Sequence, residues 1–300
     1  LPRTPDSLAG RAVSADLWGM RQGELSNTRD DLIARPREGL DATAFTTAPT
    51  RTHYASLIAR GGYPEVQTLP PRMRNHWFDS YARRLMERDV NDIAPRVDSG
   101  RMASILRLLA ANHAGELVKA RIARDAGVPE TSVAAYLDLL ETMYLSRRLR
   151  PWTRNLTSRE SARPKVFITD PGLAMRLARV TEQQLLPLDS SFFGPAMEGL
   201  VVTELLKQQT WSTEEYELFQ FRDRDGLEVD VIAELGDGSV MGFEVKSGST
   251  VKQEHLRGLR ALRDRLGDRF RGGYVLNAST RGVVLGDRLW SLPVSALWEA

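Results

Sequence analysis

Two apolar runs near the C-terminal end are broken by acids: Glu228-Val-Asp-Val-Ile-Ala233 and Gly242-Phe-Glu-Val-Lys-Ser247. Both read as short buried strands, since brief apolar, β-branched-rich runs bounded by turn residues carry that pattern. Burying an unpaired carboxylate is costly, so Asp230 and Glu244 inside such runs demand a compensating group. Lys246 follows two residues after Glu244. Side chains alternate along a strand with period two, which puts Lys246 and Glu244 on one face. Converging carboxylates with an ammonium beside them can hold a hard cation next to a phosphodiester, so the pattern predicts metal-dependent phosphate chemistry.

A third acid comes from upstream. In Gly194-Pro-Ala-Met-Glu-Gly-Leu-Val-Val-Thr-Glu-Leu205, the residues Glu198, Val201, Val202 and Leu205 fall at i, i+3, i+4 and i+7, one face of a helix. Glu198 then lies on the inward face. Glu204 sits roughly 600° further round the helix and projects away from Glu198, a reserve candidate only.

The order of helix acid, strand Asp, a turn with Gly236-Asp-Gly238, then Glu-x-Lys resembles the PD-(D/E)xK nuclease core. The resemblance implies that Glu198, Asp230 and Glu244 bind Mg²⁺, with the Val245 carbonyl as a further oxygen ligand. It implies catalytic roles for Asp230, Glu244 and Lys246, the lysine orienting the attacking water and stabilising the transition state. The bland alternative is a set of solvated acids with Lys246 in an ordinary ion pair. One detail argues against it: of 41 Lys plus Arg, only five are lysines (Lys119, Lys165, Lys207, Lys246 and Lys252). A chain that otherwise writes Arg keeps a compact point charge at 246.

Composition removes several classes. No cysteine means no disulfide and no thiolate metal site, which fits a cytoplasmic location, and the four histidines lack ligand spacing. No apolar run approaches a membrane span, so no membrane is expected. Residues 1–165 carry 26 Lys/Arg against 19 Asp/Glu, and residues 166–300 carry 15 against 20. Polyanion contact is therefore expected in the front half.

Residues 101–145 predict three helices, with the turn Asp125-Ala-Gly-Val-Pro129 between the second and third giving a helix-turn-helix pattern. A basic stretch follows, with seven Lys/Arg against Glu160 between 147 and 165. It reads as a wing placing Arg147, Arg148, Arg150 and Arg154 against DNA phosphates. Arg222 and Arg224 are further phosphate candidates beside the Asp230 strand, and Asp225-Gly226 predicts a hairpin turn. The third helix opens on Glu130, Thr131 and Ser132, without Arg, Asn or Gln, which leaves backbone binding and a purely structural role open.

Further motifs stand in front: Leu8-Ala-Gly-Arg11, Arg21-Gln-Gly-Glu-Leu25, Gly61-Gly-Tyr-Pro-Glu65 and the run from Trp77 to Ile93. With Pro164-Lys-Val-Phe-Ile-Thr-Asp-Pro-Gly-Leu173 and the Glu-Val-Lys triplet, they resemble prokaryotic AAA-type ATPases carrying a C-terminal DUF4143 region. The resemblance implies an N-terminal P-loop module, ATP as its cofactor, and Arg11 at the edge of that module. This chain opens on Leu1 and contains no Gly-x-x-x-x-Gly-Lys-Ser/Thr, so ATP is expected only in a longer, intact protein. Residues 34–51 read as a flexible connection. The predicted architecture is α/β in three parts: a helical ATPase-lid remnant over 1–95, a winged helix-turn-helix over 96–165, and a PD-(D/E)xK-like α/β domain over 166–300. The functional expectation is a Mg²⁺-dependent DNA endonuclease within an ATP-driven protein, a homo-oligomer being open. The rival is a non-catalytic docking module for DNA or protein.

Overall fold

The computed structural model describes residue 11 and residues 16–28, 31–34, 42–45, 49–153, 163–223 and 226–299. The chain is mixed α/β with two sheets. The front half is helical. Helix α1 (Gln22–Ser26) precedes α2 (Arg51–Arg60), which Thr50 caps by accepting from His53 N–H. Helix α3 (Pro71–Arg84) starts on a proline whose fixed φ suits a first turn, then runs through a π turn into α4 (Val90–Ile93). On α3 the ring of Trp77 stacks on Tyr81 one turn later, centroids 4.9 Å apart.

A helix–strand–helix–helix–strand–strand unit follows: α5 (Ser99–Ala111), β1 (Gly115–Glu116), α6 (Lys119–Ala126), α7 (Glu130–Thr142), β2 (Ser146–Leu149) and β3 (Lys165–Ile168). The helices come where apolar periodicity places them. Gly127 ends α6 in the left-handed region at φ 66°, the conformation that makes glycine the usual C-terminal stop. The three strands pair antiparallel in the order β1-β3-β2.

Helix α8 (Pro171–Leu177) and α9 (Glu182–Leu185) lead into α10 (Phe193–Gln208). The second sheet contains β4 (Tyr216–Arg222), β5 (Glu228–Leu235), β6 (Val240–Lys246), β7 (Phe270–Asn277), β8 (Val283–Gly286) and β9 (Leu289–Pro293), in the order β4-β5-β6-β7-β9-β8. Strands β6, β7 and β9 are parallel, and helix α11 (Arg257–Leu266) packs on β5, β6 and β7. Phe243, Tyr274 and Trp290 stack across the three parallel strands, with centroids 5.3 and 5.2 Å apart. Such cross-strand rings contribute beyond the area they bury, about 0.5–1.5 kcal/mol per pair.

Helix α10 departs from the one-faced helix expected of it. It is buried nearly all round, because β6 covers one side and α2 and α8 cover others. The front segment also departs from expectation. Leu32, Ile33, Ala42, Phe45 and Tyr54 share one core with α10 and the second sheet, while Val66, Phe78 and Val90 share another with α5 to α7. The reading of residues 34–51 as a flexible connection is therefore corrected where they are described. Phe45 is only 6% exposed, and its carbonyl accepts from Gly282 N–H. An aromatic ring with an apolar face to cover does not stay in solvent.

His113 joins the two halves. Its Nδ1 accepts from Ile168 N–H at 3.1 Å, its ring meets Phe167 edge-on, and a Cβ on Gly199 of α10 would collide with its Nε2. Burial pushes its pKa down to about 4, so it is neutral when folded and titrates near 6.5 when unfolded. Its contribution is complete above pH 6.5 and is lost as pH falls through the folded value, on the order of 3 kcal/mol in all. Denaturant melts between pH 7 and pH 4 should show this loss in wild type and a shallower one in His113→Gln.

Candidate active site

The register of the second sheet assembles the site. Val231 pairs with Phe243, so one residue further along Asp230 of β5 lies opposite Glu244 of β6. The Asp230 carboxylate is fixed from that strand, its Oδ2 accepting from Val245 N–H at 2.9 Å. Glu244 and Lys246 share a face as alternation requires, and Lys246 Nζ reaches Glu244 Oε1 at 2.6 Å. Glu198 approaches from α10. Between it and Asp230 stands Lys165, the first residue of β3, with Nζ 2.7 Å from Glu198 Oε1 and 3.3 Å from Asp230 Oδ1.

Three carboxylates and two ammoniums thus meet across two sheets and one helix. Burial and then the Asp230 charge push the Glu198 carboxyl up to about 8, against the pull of Lys165. Burial and Asp230 likewise push Glu244 up to about 7, against Lys246. Both lysines lie above their ordinary range: burial opposes their charge, and the surrounding acids outweigh it. Glu244 Oε2 is buried without a hydrogen-bond partner, an acceptor left open inside the cluster.

That open oxygen and an all-carboxylate donor set suit a hard cation. Among the described residues, however, no group of three or more His, Cys, Asp or Glu side chains is closed around a metal-sized point. The Lys165 ammonium takes the bridging place between Glu198 and Asp230.

Lys165 is the site residue that sequence reasoning missed, having been counted with the basic wing. The signal existed: it is one of five lysines in an arginine-rich chain, as Lys246 is. Lys207 belongs to the same pattern. Glu204, the reserve acid, pairs with it at 3.1 Å, both are almost wholly buried, and Glu204 Oε2 accepts from Gln22 N–H. Lys207 Nζ donates to the Met20 carbonyl as well. Glu204 is a structural anchor pointing away from the cluster.

The expected phosphate contacts are variously engaged. Arg147 lies over the rings of Trp18 and Tyr144. Arg148 is held by Glu141 and Asp138 at 2.5 and 2.7 Å. The Arg150 carbonyl accepts from Gln220 N–H. Arg222 pairs with Glu228 and Glu116. Arg154, Arg224 and Asp225 lie outside the described residues. Arg11 is exposed. Beside Lys165 opens a cleft of about 1020 Å³, lined by Arg163, Arg222, Arg265, Trp152 and Phe221 among others.

Comparison with known proteins divides the chain at the helix carrying Glu198. Residues 193–297 match the domain of unknown function DUF4143. The acid–lysine cluster therefore draws Glu198, Asp230, Glu244 and Lys246 from the DUF4143 region, while Lys165 reaches in from outside it. Residues 51–184 match a second domain of unknown function, DUF8612. Two uncharacterized proteins, Rv2008c of Mycobacterium tuberculosis and Mb2031c of Mycobacterium bovis, are each 31% identical over 236 residues, 78% of this chain and 52% of theirs. The chain thus spans about half the length of the curated relatives it matches. No solved structure matches it significantly. Among the described residues no helix is long and apolar enough to cross a membrane.

The two buried acids of α10 should respond differently to neutralisation. With its carboxyl held at about 8, Glu198 is largely neutral at pH 7, so Glu198→Gln should leave the melting temperature there close to that of wild type. Glu204→Gln strands the Lys207 ammonium and should cost about 3–5 kcal/mol, read from parallel thermal melts.

Proposed function

We propose that the acid–lysine cluster of the DUF4143 region is a Mg²⁺-dependent phosphodiester-hydrolysing site acting on DNA. One observation carries the reading: Asp230, Glu244, Glu198 and Lys246 come from three separate elements into one cluster, where Glu244 keeps a buried, unpartnered oxygen. A purely structural arrangement would place one ammonium per acid and leave no acceptor open. Glu198, Asp230 and Glu244 would hold the ion, which when bound supplies charge stabilisation at the phosphate. Lys246, held by Glu244, would orient a water and donate to a phosphate oxygen. Asp230 is kept in place by Val245 N–H, and Lys165 would have to give way at its other oxygen for an ion to be held there.

The cleft beside Lys165 is the candidate nucleic-acid surface, with Arg163, Lys165, Arg222 and Arg265 set against Glu116, Asp223 and Glu228. The helix–strand–helix–helix–strand–strand order with an antiparallel three-stranded sheet supports the winged-helix reading of the middle segment. The PD-(D/E)xK reading of the second sheet rests on residue order and convergence together. For the whole protein, the proposal is an AAA-type ATP-binding protein whose C-terminal part this chain supplies, on the order of its motifs.

A second reading is favoured by Lys165. With its ammonium bridging Glu198 and Asp230, the cluster is neutralised internally, as a retired site used for docking DNA or protein would be. The two readings separate in one assay. The wild-type chain with supercoiled, single-stranded and branched DNA in Mg²⁺ or Mn²⁺ should cleave at least one substrate. Asp230→Asn and Lys246→Ala should each lower the rate at least about 100-fold while DNA binding persists. Binding without cleavage in wild type would select the docking role.

A further inference from the structure

A second cavity, of about 890 Å³, lies among α3, α5 and α8 and shares no lining residue with the acid–lysine cluster. Arg74 of α3 lines it. This residue is 8% exposed and its Nε is buried without a hydrogen-bond partner; among the described residues no hydrogen bond or ion pair engages its side chain. A buried donor left unpaired costs free energy, so natural chains rarely keep one idle. Burial and then the charge of Arg60 pull its pKa down, with only Glu182 acting the other way.

The surroundings increase the positive charge. Arg83, Arg107 and Arg179 line the same cavity, exposed and without an ion pair among the described residues, and Arg107 donates only to Ser104 Oγ. Arg176 is different, since Asp79 holds it through a two-pronged pair. In all, five arginines face three acids (Asp79, Glu87 and Glu182), a formal surplus of two positive charges. The first residues of the 13-residue helix α5, Ser99 and Gly100, also line the space; Asp98 accepts from Arg101 N–H, leaving the earlier amides available. An opening helix turn favours anions. Partly exposed apolar side chains, Ala82, Ala103, Leu177 and Val180, border the same space.

We propose that this cavity binds a phosphorylated small molecule. Its phosphoryl group meets Arg74, with Arg83, Arg107 and Arg179 around it, and its organic body packs against Ala82, Ala103, Leu177 and Val180. Planar guanidinium forks match phosphoryl oxygens in pairs, and a phosphate monoester carries about the two negative charges the arginines leave over. The volume lies in the range of small-ligand sites, roughly 300–1,000 Å³. The site is independent of the acid–lysine cluster and stands or falls separately from it.

Calorimetric titration of the full chain with inorganic phosphate, pyrophosphate, AMP and ATP tests the site and separates a free anion from a phosphorylated metabolite. At least one organic phosphate should bind with Kd below about 100 μM and more tightly than inorganic phosphate. Arg74→Met keeps the side chain's bulk and removes its charge. It should weaken that binding at least tenfold while the ligand-free melting temperature stays equal or rises. Should that variant fail to fold, the exposed Arg107→Ala and Arg179→Ala should each weaken binding at least threefold. No binding below about 5 mM by any probe, or wild-type affinity in the folded variants, would overturn the proposal. So would a lower melting temperature in Arg74→Met with binding unchanged, which would make Arg74 a packing residue.

Discussion

A buried polar network at the base of α10 holds the front and back of the chain together. Asp170 accepts from Gly62 N–H at 2.6 Å and Leu173 N–H at 2.8 Å, so one carboxylate both caps α8 and holds the turn after α2. Glu204 and Lys207 complete the network by binding the main chain at Gln22 and Met20, and the Met20 amide donates to the Gly62 carbonyl. The Gly61-Gly62 turn has to be glycine: Gly61 has φ 73°, and side chains there would meet Asp170 and the Met20 carbonyl. The Arg21–Leu25 and Gly61–Glu65 motifs thus meet in one contact. Charges this deep persist only because each has partners, and the network fixes where α10 can lie.

The position of α10 decides the acid cluster. Glu198 can meet Asp230 only when α10 lies across β6, and Lys165 can reach both only because β3 comes up to the same helix. Two adjacent polar systems on one helix then take opposite characters. The Glu204–Lys207 pair is closed and nearly dry. The Glu198 cluster sets two ammoniums among three carboxylates and leaves Glu244 Oε2 without a partner.

Much of this was legible in the sequence, where a local rule applied. Helices α6 and α7 fall on either side of the turn 125–129 that the sequence predicts, and Gly127 marks the end of α6. The acids of β5 and β6 stood out because strand alternation made them anomalous. Lys165 did not, because a lysine at the end of a basic stretch is locally ordinary. Phe45 and Ala42 lay in a tract rich in Pro, Gly and Thr whose composition hid their burial.

By itself, the sequence determined the elements, the face-sharing of Glu244 and Lys246, and the scarcity of lysine, three of whose five members pair with inward-facing acids. Those follow from periodicity and side-chain chemistry within a few residues. The tertiary structure alone decided that Lys165 would bridge Glu198 and Asp230, that Arg74 would be buried without a counterion, and that the front segment would complete two cores. Such pairings join residues tens to hundreds of positions apart, and burial and charge compensation, which select them, exist only once the layers have packed.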